Sequence, residues 1–297
     1  MLSILVPVYA YDVTALVQHL HHACTHADIT FEIRIADDAS KDPSLQHRNS
    51  QLQNLSHTTY TQRPQNVGNR LNRQSLAQEA QYDWLLFLDA DTLPVSENFI
   101  ELYVAEIRSN ESDAICGGIA YKPSTDAATQ NLRHLYGSRQ ESLTNAANTD
   151  VGEWKGSNFL IRKSVFQQIQ TLQLPSIYGY VDVTYGITLK KNGFKTKFIN
   201  NPVYHLGLES SKRFLEKTDL AMQNALFLYN NLPESRQYIK ILKWFHATRP
   251  VIISQIFVTS FQLTSSLLKR NLLSNKPNIF LFQFYKLGKL HQLHNKQ

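Results

Sequence analysis

The run Trp84-Leu85-Leu86-Phe87-Leu88-Asp89-Ala90-Asp91 decides the fold class. Five consecutive apolar residues mark a short strand buried on both faces, and two carboxylates at i and i+2 give that strand a polar carboxyl end. Two earlier stretches repeat the arrangement. Residues 3–8 form an apolar run closed by Tyr9, and residues 31–36 end in Asp37-Asp38. Helical spacing lies between them, through Leu16, Val17 and Leu20 in 13–23 and again over 71–81. Buried strands alternating with helices predict βαβ units and an α/β protein with a mostly parallel sheet, whose ligands bind at the carboxyl ends of the strands.

Beyond Asp91 the spacing predicts helices at 98–108, 132–143, 165–172 and 183–191, and strands at 114–121, 154–162, 195–199 and 201–205. From 210 the chain reads as helical, with breaks at Pro233, Pro250 and Pro277, and no internal repeat is visible. The 297 residues are 42% hydrophobic and 18% charged, which excludes a disordered or low-complexity protein. Two cysteines, Cys24 and Cys116, exclude a disulfide framework and a cysteine-based zinc site, and fit a reducing compartment. Residues 3–9 contain Pro7 and follow no basic residue, so they read as a first strand rather than a signal peptide.

The net charge of +6 is unevenly spread. Up to Glu209 there are 17 basic and 21 acidic residues; from Ser210 onward there are 13 basic and 3 acidic. This shift places a boundary near residue 208, between a body (1–208) and a basic amphipathic helical extension (209–297). A basic extension suits an anionic surface, membrane before nucleic acid, since nucleic-acid signatures are missing; a solvated lysine-rich face is the plainer explanation. The window 251–268 is free of charge but holds eight Ser, Thr or Gln, a poor composition for a span of about 20 apolar residues. Ile253, Ile256, Phe257, Phe261, Leu267 and Leu268 instead suggest one apolar face of an amphipathic helix, laid on a membrane or on the body. Phe280, Phe282, Phe284 and Tyr285 among Lys276, Lys286 and Lys289 leave the same two choices open. His19, His22 and His26 share a helical face but read as solvated.

Asp89 and Asp91 can cooperate around a hard divalent cation that also takes phosphate oxygens. The same segment fits the hhhhDxDxT pattern of haloacid-dehalogenase-type phosphatases, with Asp89 as nucleophile. That family usually carries the pattern on its first strand, whereas two strands precede it here. The wider sequence resembles inverting glycosyltransferases of family 2, with the GT-A fold. Ser3-Ile-Leu-Val-Pro7-Val8-Tyr9 is similar to the family's opening strand, with Ala10 where Asn is common. Phe31-Glu-Ile-Arg-Ile-Ala-Asp37-Asp38-Ala-Ser40 resembles its EIIVVDDxS segment, and Asn66-Val-Gly68 followed by Arg73 its NxG…R stretch. Trp154-Lys-Gly156-Ser157-Asn158-Phe-Leu-Ile-Arg162, Gly179-Tyr180-Val181-Asp182 and Asn201-Pro-Val-Tyr-His205 match later family segments in order, with Val181 where the family has an acidic residue.

The resemblance implies a Rossmann-like GT-A domain that moves a sugar from a nucleoside-diphosphate sugar, UDP-linked by preference, to a glycan or lipid-linked glycan hydroxyl. It implies nucleotide contacts from Pro7, Val8, Tyr9, Asp37, Asp38, Asn66, Gly68, Arg73, Asp89 and Ala90. It further implies Mn²⁺ or Mg²⁺ on Asp91, His205 and Asp89, and an acceptor bordered by Trp154, Gly156, Ser157, Asn158 and Tyr180. Asp182 would be the general base that deprotonates the acceptor hydroxyl. A cytoplasmic enzyme resting on the membrane face is the expected setting, and a sugar-nucleotide binder without catalysis is a further alternative.

Overall fold

The computed structural model describes residues 1–123, 131–142, 153–169 and 178–296. Its first half runs β1 (Leu2–Val8), α1 (Thr14–His26), β2 (Phe31–Asp37), α2 (Pro43–Ser50), β3 (Thr58–Gln62), α3 (Asn69–Glu79), β4 (Trp84–Leu88), β5 (Thr92–Pro94) and α4 (Phe99–Ser109). Then follow β6 (Ala114–Cys116), β7 (Ile119–Ala120), α5 (Leu132–Tyr136), β8 (Asn158–Arg162), α6 (Lys163–Gln168), α7 (Val181–Lys191), β9 (Thr196–Phe198) and β10 (Val203–His205). Five helices finish the chain: α8 (Ser211–Asn231), α9 (Ser235–Tyr238), α10 (Lys240–Thr248), α11 (Val251–Leu272) and α12 (Ile279–His294).

Seven strands form the main sheet in the order β3-β2-β1-β4-β8-β6-β9, and β5-β10-β7 form a smaller one. Pairing is parallel except where β8 lies antiparallel between β4 and β6. Alternate residues of the buried strands feed opposite layers. Ile4, Val6, Leu86 and Leu88 pack under α1 and α4, while Leu5, Leu85 and Phe87 pack with Trp154, Phe159 and Tyr185 on the other side.

The expected 114–121 strand is two strands, because the chain turns at Gly117-Gly118. Gly118 has φ +89°, and a Cβ at Gly117 would collide with Tyr103 and Asn158. The strand expected from 154 begins at Asn158. Strand β3 carries no sequence signal, because this edge strand reads Thr-Thr-Tyr-Thr-Gln without apolar alternation. Helix α2 does carry a signal: Asp42 caps it through the Ser44 and Leu45 amides, with Pro43 in its first turn. The helices expected at 132–143 and 165–172 run partly outside the described residues; within them stand α5, a following π turn over Gly137–Glu141, and α6.

Candidate active site

The register brings three strand ends to one edge. Val8 pairs with Asp37, β1 also pairs with β4, and Leu88 faces Asn158 at the start of β8. A cavity of about 700 Å³ lies over this edge. Among the residues singled out from the sequence, Pro7, Val8, Tyr9, Asp38, Arg73, Asp89, Ala90, Asp91, Trp154, Ser157, Tyr180, Asp182 and His205 line it. Asp37, Asn66, Gly68, Gly156 and Asn158 do not.

Those five support the cavity from behind. Asp37 is buried, accepting hydrogen bonds from the Ser40 amide at 2.8 Å and the Tyr60 hydroxyl at 2.9 Å. Asp38 takes the Val67 and Gly68 amides, one on each carboxylate oxygen at 2.8 Å, while the Asn66 side chain donates to the Asp38 carbonyl. The 66–68 loop is therefore fastened to the end of β2. Asn158 was expected beside the acceptor, but its amide is spent inside the protein. It donates to the Gly118 and Asn201 carbonyls and accepts from the Tyr103 hydroxyl.

Arg73 is the hub of the site. Its guanidinium is 3% exposed, donates to Asp89 Oδ1 at 2.6 Å and to the Gly156 carbonyl at 2.7 Å, and lies over the Phe87 and Phe159 rings. Nearby, Asp182 stands in the first turn of α7 with its carboxylate close against Gly156. A Cβ at position 156 would collide with the Asp182 carboxylate. Burial holds both the Asp89 and Asp182 carboxyls above the usual carboxylate range, with Arg73 pulling the other way. The approach to α7 is strained: Gly179 has φ +93° and Tyr180 φ +63°.

On the other flank His205 Nε2 is 3.4 Å from Asp91 Oδ2, and the imidazole stacks on Tyr121 with ring centres 5.7 Å apart. Burial, and then the nearby Arg133 guanidinium, push this imidazole down to about 4, so it is neutral at pH 7. Its Nδ1 is buried without a hydrogen-bond partner. A Cβ at Gly207 would strike the Asp91 carboxylate, which leaves glycine as the residue that fits there. No group of three or more ligating side chains assembles among the described residues. The Asp91–His205 pair nevertheless fits a divalent ion of the Mn²⁺ type, which accepts a neutral imidazole with a carboxylate and keeps other positions for water or phosphate oxygens.

Several cavity residues went unnoticed in the sequence. Arg133 donates to Glu141 at 2.7 Å and to the Tyr121 hydroxyl at 2.9 Å, in a buried network reaching the His205 ring. Their segment is polar and aperiodic, and nothing in it signals a site. Trp154, by contrast, was singled out from the sequence: it is 1% exposed, packs on Phe159 and Phe198 with its Nε1 buried and unpartnered, and still borders the cavity. It belongs to both the core and the pocket wall.

Fold and site together define an open α/β protein with paired carboxylates and the Arg73 guanidinium at the strand ends, the edge where such sheets bind their ligands. The sequence matches glycosyl transferase family 2 over residues 3–170, more than half of the chain, and the protein belongs to that family. The curated proteins contain no significant match. Solved structures supply fold likeness. S. aureus TarS 1-349 in complex with UDP-GlcNAc is 16% identical with a TM-score of 0.53, covering 99% of this chain and 91% of that one. The mannosyltransferase PcManGT from Pyrobaculum calidifontis, in complex with GDP-Man and Mn²⁺, is 13% identical with a TM-score of 0.58, covering 100% and 88%. The fold is the GT-A fold, with C-terminal helices added. The phosphatase alternative is not favoured.

Proposed function

We propose that the protein is a metal-dependent, inverting glycosyltransferase that moves a sugar from a UDP-sugar to a hydroxyl of a glycan or lipid-linked glycan in cell-surface polysaccharide synthesis. The observation that carries this reading is the convergence of Asp38, the Arg73–Asp89 pair, the Asp91–His205 pair and Asp182 on one cavity. Pro7, Val8 and Tyr9 lie where a base would sit, and Tyr9, 50% exposed, offers a ring for stacking. The diphosphate would lie over Asp89, Ala90 and Asp91.

Asp91 and His205 would hold Mn²⁺ or Mg²⁺, which offsets charge on a diphosphate leaving group. Arg73 keeps Asp89 in place and favours the ionised form of Asp182 against the effect of burial. Asp182 takes the proton from the acceptor hydroxyl as that oxygen attacks the anomeric carbon from the face opposite the nucleotide. Its raised pKa makes it a better base than an exposed aspartate. Ser157, Tyr180 and Trp154 border the space for the acceptor. Calorimetric titration with UDP tests the reading. Binding is expected with Mn²⁺, and it should be lost in Asp91→Ala; a wild-type protein that binds no nucleoside diphosphate would sink it.

The same proposal places the enzyme on the cytoplasmic membrane face. Helix α11, whose Ser, Thr and Gln content reads as poor for a span, is long and apolar enough to cross a membrane by length and composition alone, and most of it lies outside the packed core. The face expected from the sequence is divided in two. Phe261 and Leu268 are buried against α12, while Ile256 and Leu267 are exposed. The outward stripe is Ile252, Ile256, Leu263 and Leu267, from 60 to 78% exposed and within an arc of about 60° at 3.6 residues per turn. After Glu234 the chain has ten Lys or Arg and no acidic residue. An apolar stripe in a basic setting suits an anionic lipid surface, and like charge opposes self-association of this region. Leu263→Glu with Leu267→Glu is expected to abolish sedimentation with anionic liposomes; unchanged sedimentation contradicts the placement.

A further inference from the structure

The cavity continues past Tyr180 to a wall formed by α8, α10 and α12, and Lys286 lines this end. The other cations there have acidic partners: Arg133 with Glu141, Lys155 with Glu153, Lys217 with Glu209 and Lys240 with Glu153. Lys286, 6% exposed, has none within ion-pair distance among the described residues. Its ammonium donates to the Tyr136 hydroxyl at 3.2 Å and lies 4.6 Å from the Tyr136 ring centre and 5.0 Å from that of Phe282.

Its position is fixed from both sides. Tyr285 donates to Asp219 Oδ1 at 2.8 Å and Lys289 reaches Asp219 Oδ2 at 3.1 Å, which ties α12 to α8. Gly288 lies flush against Phe261, where a Cβ would collide. An ammonium has three donors, and one hydrogen bond with two ring faces leaves it short of a counter-charge. A buried charge is costly until it is paired.

We propose that Lys286 anchors a phosphate ester carried by the acceptor, at the end of the cavity away from the nucleotide. This rests on the glycosyltransferase reading, which gives the cavity a donor end and an acceptor end. Phe214, Met222, Ile239 and Ile241 also line this end, so an alkyl chain can accompany the phosphate. The shared chemistry is a phosphate ester, from either a lipid or a soluble polyol phosphate.

The experiment is calorimetric titration of the full chain, with UDP and Mn²⁺ present, using octyl phosphate, glycerol 3-phosphate and neutral octyl glucoside. Lys286→Met and Lys286→Gln are compared with wild type, and thermal unfolding confirms which variants are folded. The phosphate esters are expected to bind wild type at least about tenfold better than either folded variant, with UDP affinity equal in all. Tighter binding of octyl phosphate assigns the phosphate to a lipid; tighter binding of glycerol 3-phosphate assigns it to a soluble acceptor. Phosphate esters that bind wild type no better than octyl glucoside overturn the proposal, as does undiminished binding to a folded variant. Weakened UDP binding in the variants also overturns it, by placing Lys286 on the donor. If UDP fails to bind wild type the glycosyltransferase reading falls separately, and the phosphate titration without UDP still decides the role of Lys286.

Discussion

Ala10 has φ +51° directly after β1, a left-handed conformation that costs an L-residue about 1–2 kcal/mol. Its amide donates to the Ser40 hydroxyl at 2.8 Å, so the turn is held in that shape by the neighbouring strand end. Asparagine tolerates this conformation, which accounts physically for the asparagine common at this place in the family pattern. Ala10→Asn is expected to raise stability by about 0.5 kcal/mol, read as a higher denaturation midpoint. Asp182 supports a second prediction. The base function proposed for it needs the ionised form, so transfer or donor hydrolysis is expected to fall as pH drops through its raised pKa. Arg73 holds that pKa down, so Arg73→Met should shift the acid limb of kcat/KM to higher pH, while Asp182→Asn should remove most of the activity without unfolding. Ala10 was legible in the sequence because it follows the apolar run of β1, whereas Arg73 and Asp182 stood out only through the resemblance to family segments. Gly207 was not legible, because it owes its place to Asp91, distant in sequence, and Arg133 was not, because the polar segment it shares with Glu141 carries no periodicity.

The start of β8 shows how an element can carry a site without contributing every residue to it. Running antiparallel, β8 delivers its amino end to the edge where β1, β2 and β4 deliver their carboxyl ends. Ser157 faces the cavity, Asn158 fastens the strand to the 118 and 201 turns, and Gly156 lies between Arg73 and Asp182. Gly156→Ala is therefore expected to lower transfer at least tenfold while UDP affinity changes little, since the added methyl group displaces Asp182. Asn158→Ala is expected instead to cost about 1–3 kcal/mol in a denaturant titration, from the polar groups left unpaired. The sequence pattern marked all three residues as a group. It could not divide them into wall and support, because that division depends on strand direction. Helix α11 shows the same limit: apolar spacing identified the helix, but only its neighbours decide which apolar stripe turns inward.

At the scale of the molecule, the boundary expected near residue 208 follows a change in charge, while the packing crosses it. Ile187 of α7 sits in one cluster with Met222, Leu242 and Leu290, and Leu132 of α5 in another with Phe214, Phe282 and Tyr285. A chain stopped after 208 would expose both faces. It is expected to aggregate or to unfold at lower temperature than the full chain, as judged by size-exclusion chromatography and calorimetry, despite containing every residue proposed to contact the nucleotide. The position of Phe282 and Lys286 on the cavity wall has a consequence for synthesis. Strands β1 to β10 can leave the ribosome and pair before α12 exists, but the pocket closes only when α12 has been released as well. A nascent chain therefore presents the strand edge proposed for the nucleotide well before it has the wall proposed for the acceptor.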